Sequence, residues 1–266
     1  MNKRNLTLTL RRLAICGALI FSFFGVSATV LAQSAKPKPS PTPRRPLPKP
    51  VAGNRGFEQF AKRDASARLI AGGATRVIVD PADHFARGEA FYKSGKYEAA
   101  IKELREAVKQ SPDRDDPHYV LALSLTELGK LKEAIAEFKQ VIELALKDEP
   151  KILSYYNLGN AYSDLGEYEK AIDSYQQAIK LDPTLSKPHN NLGLAYAALG
   201  RLAEAEAEFA EAVRLKQDYA EAHYNLGVAY VQLGRKQDAE EQKKTLVKLK
   251  SDFAAKLDAL IEKVNP

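Results

Sequence analysis

Small residues return along this chain at a nearly fixed interval. Gly88, Ala122, Gly159, Gly193 and Gly227 are separated by 34, 37, 34 and 34 residues. Twelve residues after each stands an alanine: Ala100, Ala134, Ala171, Ala205 and Ala239. A glycine falls between the two every time, at Gly95, Gly129, Gly166, Gly200 and Gly234. A period of this length predicts stacked units rather than one closed core. Helix axes approach to about 8–10 Å only where side chains are small, so Gly159, Ala171, Ala178 and their equivalents mark helix contacts. The intervening glycine relieves the backbone where the chain reverses. Beyond the last unit, Leu246, Leu249, Phe253, Leu257, Leu260 and Val264 recur at helical 3- and 4-residue spacing. This stripe predicts a helix over 254–266 that caps the array; a short self-associating coiled coil is the alternative.

The third unit, 152–185, carries Leu158-Gly159, Tyr162, Gly166, Tyr168, Ala171, Tyr175, Ala178 and Pro183. The fourth, 186–219, has Leu192-Gly193, Tyr196, Ala205, Phe209 and Ala212, with Gln217 at the proline position. The first, 81–114, keeps Gly88, Phe91, Ala100, Ala107 and Pro112. The second, 115–148, is followed by three additional residues, Glu149-Pro150-Lys151. The fifth, 220–253, begins with Leu226-Gly227 and Tyr230, then departs, with Lys243 where an aromatic is expected and Ser251 for proline.

At these residues the chain resembles the tetratricopeptide repeat family over 81–253. The resemblance implies an all-α, right-handed superhelical solenoid of five antiparallel helix-turn-helix repeats with a C-terminal capping helix. It also implies a concave groove lined by the first helix of each repeat. Carried onto this sequence, the groove positions give Phe85, Tyr92, Tyr119, Tyr156, Asn160, Asn190 and Tyr224 as the principal partner-binding candidates. Glu89, Lys93, Asp116, Glu127, Asp164, Lys187 and Glu221 lie among them. Aromatic residues there would anchor a peptide, and asparagine would pair with its backbone. Asn160 and Asn191 match two positions of the clamp with which chaperone-tail binders of this family grip a terminal carboxylate. Tyr156 replaces an expected lysine, however, and Asn225 stands where a second cation is needed, so no carboxylate clamp is expected. Five acids against two lysines favour a neutral or basic protein or peptide partner.

Upstream of the repeats the pattern changes completely. Residues 1–12 are basic, and Leu13 to Ala32 are uncharged, with Val30-Leu31-Ala32 before Gln33. This is the order of a secretory signal peptide, and the run is also long enough to stay as a membrane anchor. Either reading exports the remainder to the periplasm or outside the cell, with any membrane attachment through residues 13–32 alone. Residues 33–56 read as a basic, proline-rich linker. Its KPKPSPTPRRPLPKP run at 36–50 favours polyproline II and a reach on the order of 45 Å. It serves as a solvated spacer or as a contact for anionic envelope surface. Residues 57–80, with Phe57, Phe60, Ala61 and Leu69, read as a partly ordered lead-in.

Charge divides along the same line. The leader contributes four cations and residues 36–55 six more, whereas no acid occurs before Glu58. With a whole-chain net charge of +6, the repeat region is left mildly acidic, a poor match for nucleic-acid phosphates. The one cysteine, Cys16, lies in the leader, which excludes a disulfide scaffold and a cysteine metal site.

All four histidines, His84, His118, His189 and His223, fall at one repeat position, with Tyr155 there in the third repeat. Equivalent positions in neighbouring repeats are separated by at least a helix-packing distance, whereas zinc ligands sit near 2 Å from the metal. They are therefore expected to pack, with no metal. There is no GxxxxGK[ST], GxGxxG or HExxH sequence and no local nucleophile signature, so neither cofactor nor enzyme activity is expected. The expected function is an exported, monomeric interaction scaffold. The rival reading is an accessory factor or enzyme acting on cell-wall glycan.

Overall fold

The computed structural model describes residues 83–263. The expected leader (1–32), linker (33–56), lead-in (57–80) and Val264 lie outside the described residues. Within them the chain is all-α, with eleven helices in five hairpins and a final single helix. These are α1 (His84–Lys93) and α2 (Tyr97–Gln110), α3 (Asp115–Glu127) and α4 (Leu131–Leu144), and α5 (Asp148–Asp164) and α6 (Tyr168–Leu181). They continue with α7 (Ser186–Ala198) and α8 (Leu202–Leu215), α9 (Ala220–Gln232) and α10 (Lys236–Lys248), and α11 (Phe253–Lys263). Among the described helices none is long and apolar enough to cross a membrane.

Each hairpin turns on its glycine. Gly95, Gly129, Gly166, Gly200 and Gly234 have φ between 69° and 76°, a left-handed conformation that a Cβ disfavours. The residue after each returns its N–H to a carbonyl five residues back, as in Arg201 to Tyr196 (2.9 Å) and Arg235 to Tyr230 (2.8 Å). That bond satisfies a carbonyl otherwise left open at the helix end. The three additional residues after the second repeat do not form a separate connector. Glu149, Pro150 and Lys151 belong to α5, which starts at Asp148 and runs 17 residues. Pro150 fits because the first turn of a helix needs no backbone donor there.

The close approaches fall where small residues predict them. A Cβ on Gly159 would lie 2.5 Å from the Tyr175 ring, and one on Gly193 would lie 2.7 Å from Phe209. Tyr175, Phe209 and, in the second repeat, Phe138 are fully buried. Ala100, Ala134, Ala171, Ala205 and Ala239 have no exposed surface. One continuous apolar cluster runs from Ala100 on α2 to Ala229 on α9.

A second cluster joins Val228, Ala239, Leu246, Leu257 and Ile261. It shows α11 covering the last hairpin, packed on both α9 and α10. Leu257 and Ile261 are the buried residues of α11, with Phe253 and Leu260 partly buried beside them. Ile261, which the sequence stripe did not include, is buried alongside Leu257.

Stacking also sets the curvature. First helices of successive repeats touch (α1 with α3, α3 with α5, α5 with α7, α7 with α9), while no two second helices of neighbouring repeats do. Elements that touch lie on the inside of a bend, and elements that splay apart lie on the outside. The first helices therefore form the concave side.

Candidate partner-binding groove

The inner helices present the predicted residues as a row, each fixed by a different neighbour. Phe85 on α1 carries the Arg114 guanidinium 5.3 Å above its ring. Tyr92 lies 5.9 Å from Tyr97. Tyr119 on α3 packs edge-on against Phe138 at 6.1 Å and is buried. Tyr156 on α5 tilts against Tyr175 at 6.1 Å. Tyr224 on α9 is stacked on Phe253 of the cap at 4.9 Å, so one face of that ring is already covered. Aromatic pairing of this kind contributes about 0.5–1.5 kcal/mol beyond burial.

Of the two candidate asparagines, Asn190 behaves differently from the expectation. Asn190 has no exposed surface, and its amide is engaged inside the array rather than offered to a ligand backbone. It accepts from Asn225 Nδ2 at 2.9 Å and donates to Asn191 Oδ1 at 3.2 Å. Asn191 Nδ2 in turn donates to Asn160 Oδ1 at 2.9 Å and to the Tyr156 hydroxyl at 3.3 Å. Asn160 also accepts the Tyr175 hydroxyl at 2.8 Å.

A rule underlies this network. Asn157, Asn191 and Asn225 occupy one repeat position, and each donates to the groove residue of the preceding repeat: Tyr119 at 3.2 Å, Tyr156 at 3.3 Å and Asn190 at 2.9 Å. The groove floor is thus tied across repeat boundaries. The signal that could have revealed it is the run of asparagines at 157, 191 and 225, each one 34-residue period after the last. Burial raises the pKa of the Tyr156 hydroxyl, opposed by its bond from the asparagines, so the phenol stays neutral and keeps a proton to donate.

Charged residues are placed along the same face. Glu89 is paired with Lys93 at 2.6 Å, and Asp116 with Arg114 at 2.5 Å. Glu221, in the first turn of α9, is half-buried. Burial raises its carboxyl pKa, and the charge of Lys187 partly opposes that. Burial raises the pKa of the Tyr156 and Tyr219 phenols, and the charge of Glu221 adds to that rise.

The histidines form internal clasps. In each case Nδ1 meets the residue nineteen positions on: His84 to Glu103 (2.9 Å), His118 to Glu137 (2.6 Å), His189 to Glu208 (2.7 Å) and His223 to Gln242 (2.7 Å). The Nε2 of the last three faces a carbonyl six residues back, on Pro112, Pro183 and Gln217. A neutral imidazole has one N–H and cannot donate to two acceptors, whereas imidazolium can. For His189 burial pulls the pKa down, but the bond and charge of Glu208, helped by the Pro183 carbonyl, outweigh it and leave it raised. Each clasp pins the first helix of a repeat to its second. Among the described residues no three His, Cys, Asp or Glu side chains converge as a metal would require.

Comparison with known proteins agrees with this architecture. Residues 85–149 and 220–253 match the tetratricopeptide repeat, and 159–200 and 193–234 match the TPR repeat. The chain carries tetratricopeptide repeats. Its repeats are similar to part of Hsp70-Hsp90 organizing protein 3 of Arabidopsis thaliana, 33% identical over 97 residues. That stretch is 36% of this chain and 17% of that protein, so the chain spans about one-sixth of the relative's length. In three dimensions they resemble the crystal structure of MamA, with 24% identity, TM-score 0.58, and coverage of 61% of this chain and 94% of that one. They also resemble YrrB, described as a TPR protein with an unusual peptide-binding site, with 18% identity, TM-score 0.57, and coverage of 78% and 100%. At these identities the two structures show the shared fold.

Proposed function

We propose that this protein is an exported interaction scaffold whose repeats hold an extended segment of a protein partner along the inner helices. The observation that carries the reading is the row Phe85, Tyr92, Tyr156 and Tyr224, half-buried aromatics held in place on the concave side. Rings fixed in advance lose little entropy on contact, which is why aromatic anchors dominate protein interfaces. The relative from Arabidopsis is named for organizing two other proteins, and YrrB for a peptide-binding site; both accord with this role. The basic leader and the uncharged run from Leu13 to Ala32 support export, and the excess of groove acids supports a neutral or basic partner.

Site-specific photo-crosslinking in the native cell tests the proposal. A photoreactive residue at Tyr92 or Asn160 is expected to capture one recurring exported protein, and the same residue at Val247, 61% exposed on the outer helix α10, is not. Capture from Val247 equal to that from the groove would overturn it. So would loss of a glycan-processing activity on replacing a single histidine or carboxylate, which favours the rival.

A further inference from the structure

We propose that the Glu221 edge of the groove is a subsite for a cationic side chain, lysine or arginine, of the bound segment. The inference rests on the groove reading above and adds the chemistry of one position within it.

The groove acids are not equivalent. Glu89 and Asp116 are neutralised by Lys93 and Arg114 of the chain itself, Asp164 has a partner of its own, and Glu127 is exposed to solvent. Glu221 is half-buried, yet it makes no hydrogen bond or ion pair among the described residues. The charge of Lys187 reaches it without closing into a pair. A carboxylate that has lost part of its hydration and gained no partner benefits more from an incoming cation than a solvated one does.

A second unmatched acceptor lies on the same helix. Asn225, one helical turn further along α9 and therefore on the same face, is 2% exposed. Its Nδ2 is fixed on Asn190, and its Oδ1 is buried with no hydrogen-bond partner. The two unmatched groups are thus both acceptors. An ammonium brings three N–H donors and a guanidinium five, and neither brings an acceptor. A carboxylate or phosphate would bring only further acceptors to these two groups. Tyr156, which feels the Glu221 charge, is half-buried and supplies ring surface for the aliphatic stem of such a side chain, whereas the Tyr219 ring already carries Lys216 Nζ at 5.5 Å from its centroid.

The test uses the full chain and a phage-displayed random dodecapeptide library, selected in parallel on wild type, Glu221→Gln and the groove variant Tyr92→Ala/Asn160→Ala. Circular dichroism confirms that all three remain helical. Wild type is expected to enrich peptides with Lys or Arg at one fixed register, and Glu221→Gln to enrich peptides without it. A synthetic wild-type-selected peptide should bind Glu221→Gln at least about tenfold more weakly. Its norleucine-substituted form should bind both proteins alike, the signature of a direct pair. Enriched peptides with no cationic register, or the same register on Glu221→Gln, would sink the subsite while leaving the groove reading intact; a water on Asn225 would then account for its acceptor. No enrichment, or peptides indifferent to Tyr92→Ala/Asn160→Ala, would instead overturn the groove reading and the subsite with it.

Discussion

In the fourth repeat the space beside Gly193 is filled from within. Phe209, on the second helix of the same repeat, lies where a Cβ on the glycine would be 2.7 Å from its ring. In the fifth repeat the equivalent of Phe209 is Lys243, and the space beside Gly227 is filled from outside by Leu257 of α11, 2.4 Å from a Cβ placed there. Lys243 is released for the surface, where it pairs with Glu240 at 2.6 Å and Asp258 at 2.7 Å. The substitution that breaks the repeat pattern is therefore also what fastens the cap. An array has interior units that complete each other and an end unit that cannot, so its last hairpin borrows both its filler and its polar cover. The turn into the cap is weaker as well. Lys250 takes the left-handed place, with φ 52°, that glycine holds in all five hairpins.

The contrast is broken most directly by removing the two fillers. Phe209→Ala should cost about 3–5 kcal/mol and Leu257→Ala about 2–5 kcal/mol, typical of deleting buried side chains. The difference lies in where the damage goes. Urea denaturation with hydrogen exchange should show Phe209→Ala weakening the whole array. Leu257→Ala should lose protection in 236–263 while the earlier repeats stay protected. Equal loss throughout the chain would mean that the fifth repeat is not an end unit.

The clasps sharpen the same comparison, because His189 faces a carboxylate in the fourth repeat and His223 faces the amide of Gln242 in the fifth. The folded pKa of His189 is raised above its ordinary 6.5. The stability it contributes is fully present below 6.5 and is lost as pH rises through the folded value. Glu208→Gln, which copies the fifth repeat into the fourth, should cost about 1–2 kcal/mol near pH 5.5 and less near pH 8.5. A pH-independent cost in denaturation at both values would show that the histidine stays neutral throughout.

How much of this could be read beforehand depends on the range of the interaction. The hairpins were legible because Gly193, Ala205 and Phe209 act within one repeat, where sequence spacing and spatial distance go together. The pairing of His118 with Glu137 was equally available, since glutamate or glutamine stands nineteen residues after every histidine. The third repeat, which has Tyr155 instead, has Ser174 there. The cap was legible from its stripe, but not the choice of Ile261, which depends on how α11 is rotated on α9 and α10. The fate of Asn190 was not legible at all. The spacing places it on the inner face, and only its bonds to Asn191 beside it on α7 and to Asn225 of the next repeat show that it is buried structure rather than contact surface.

The smallest effect expected is a gain. Lys250 N–H bonds to Val247 at 3.0 Å and Ser251 N–H to Leu246 at 3.0 Å, the same closure that glycine supports in the hairpins. A side chain in the left-handed region costs about 1–2 kcal/mol, and glycine recovers most of that while giving back some through the greater freedom of the unfolded chain. Lys250→Gly should therefore stabilise the docked cap by about 0.5–1 kcal/mol, and amide exchange in 253–263 should slow roughly two- to fivefold. The repeats before α9 should exchange as in wild type, because the gain acts on the end unit alone. Slowed exchange across all five repeats would show that the cap and the interior unfold together, and the division between end and interior would then fail on energetic grounds even with its geometry intact.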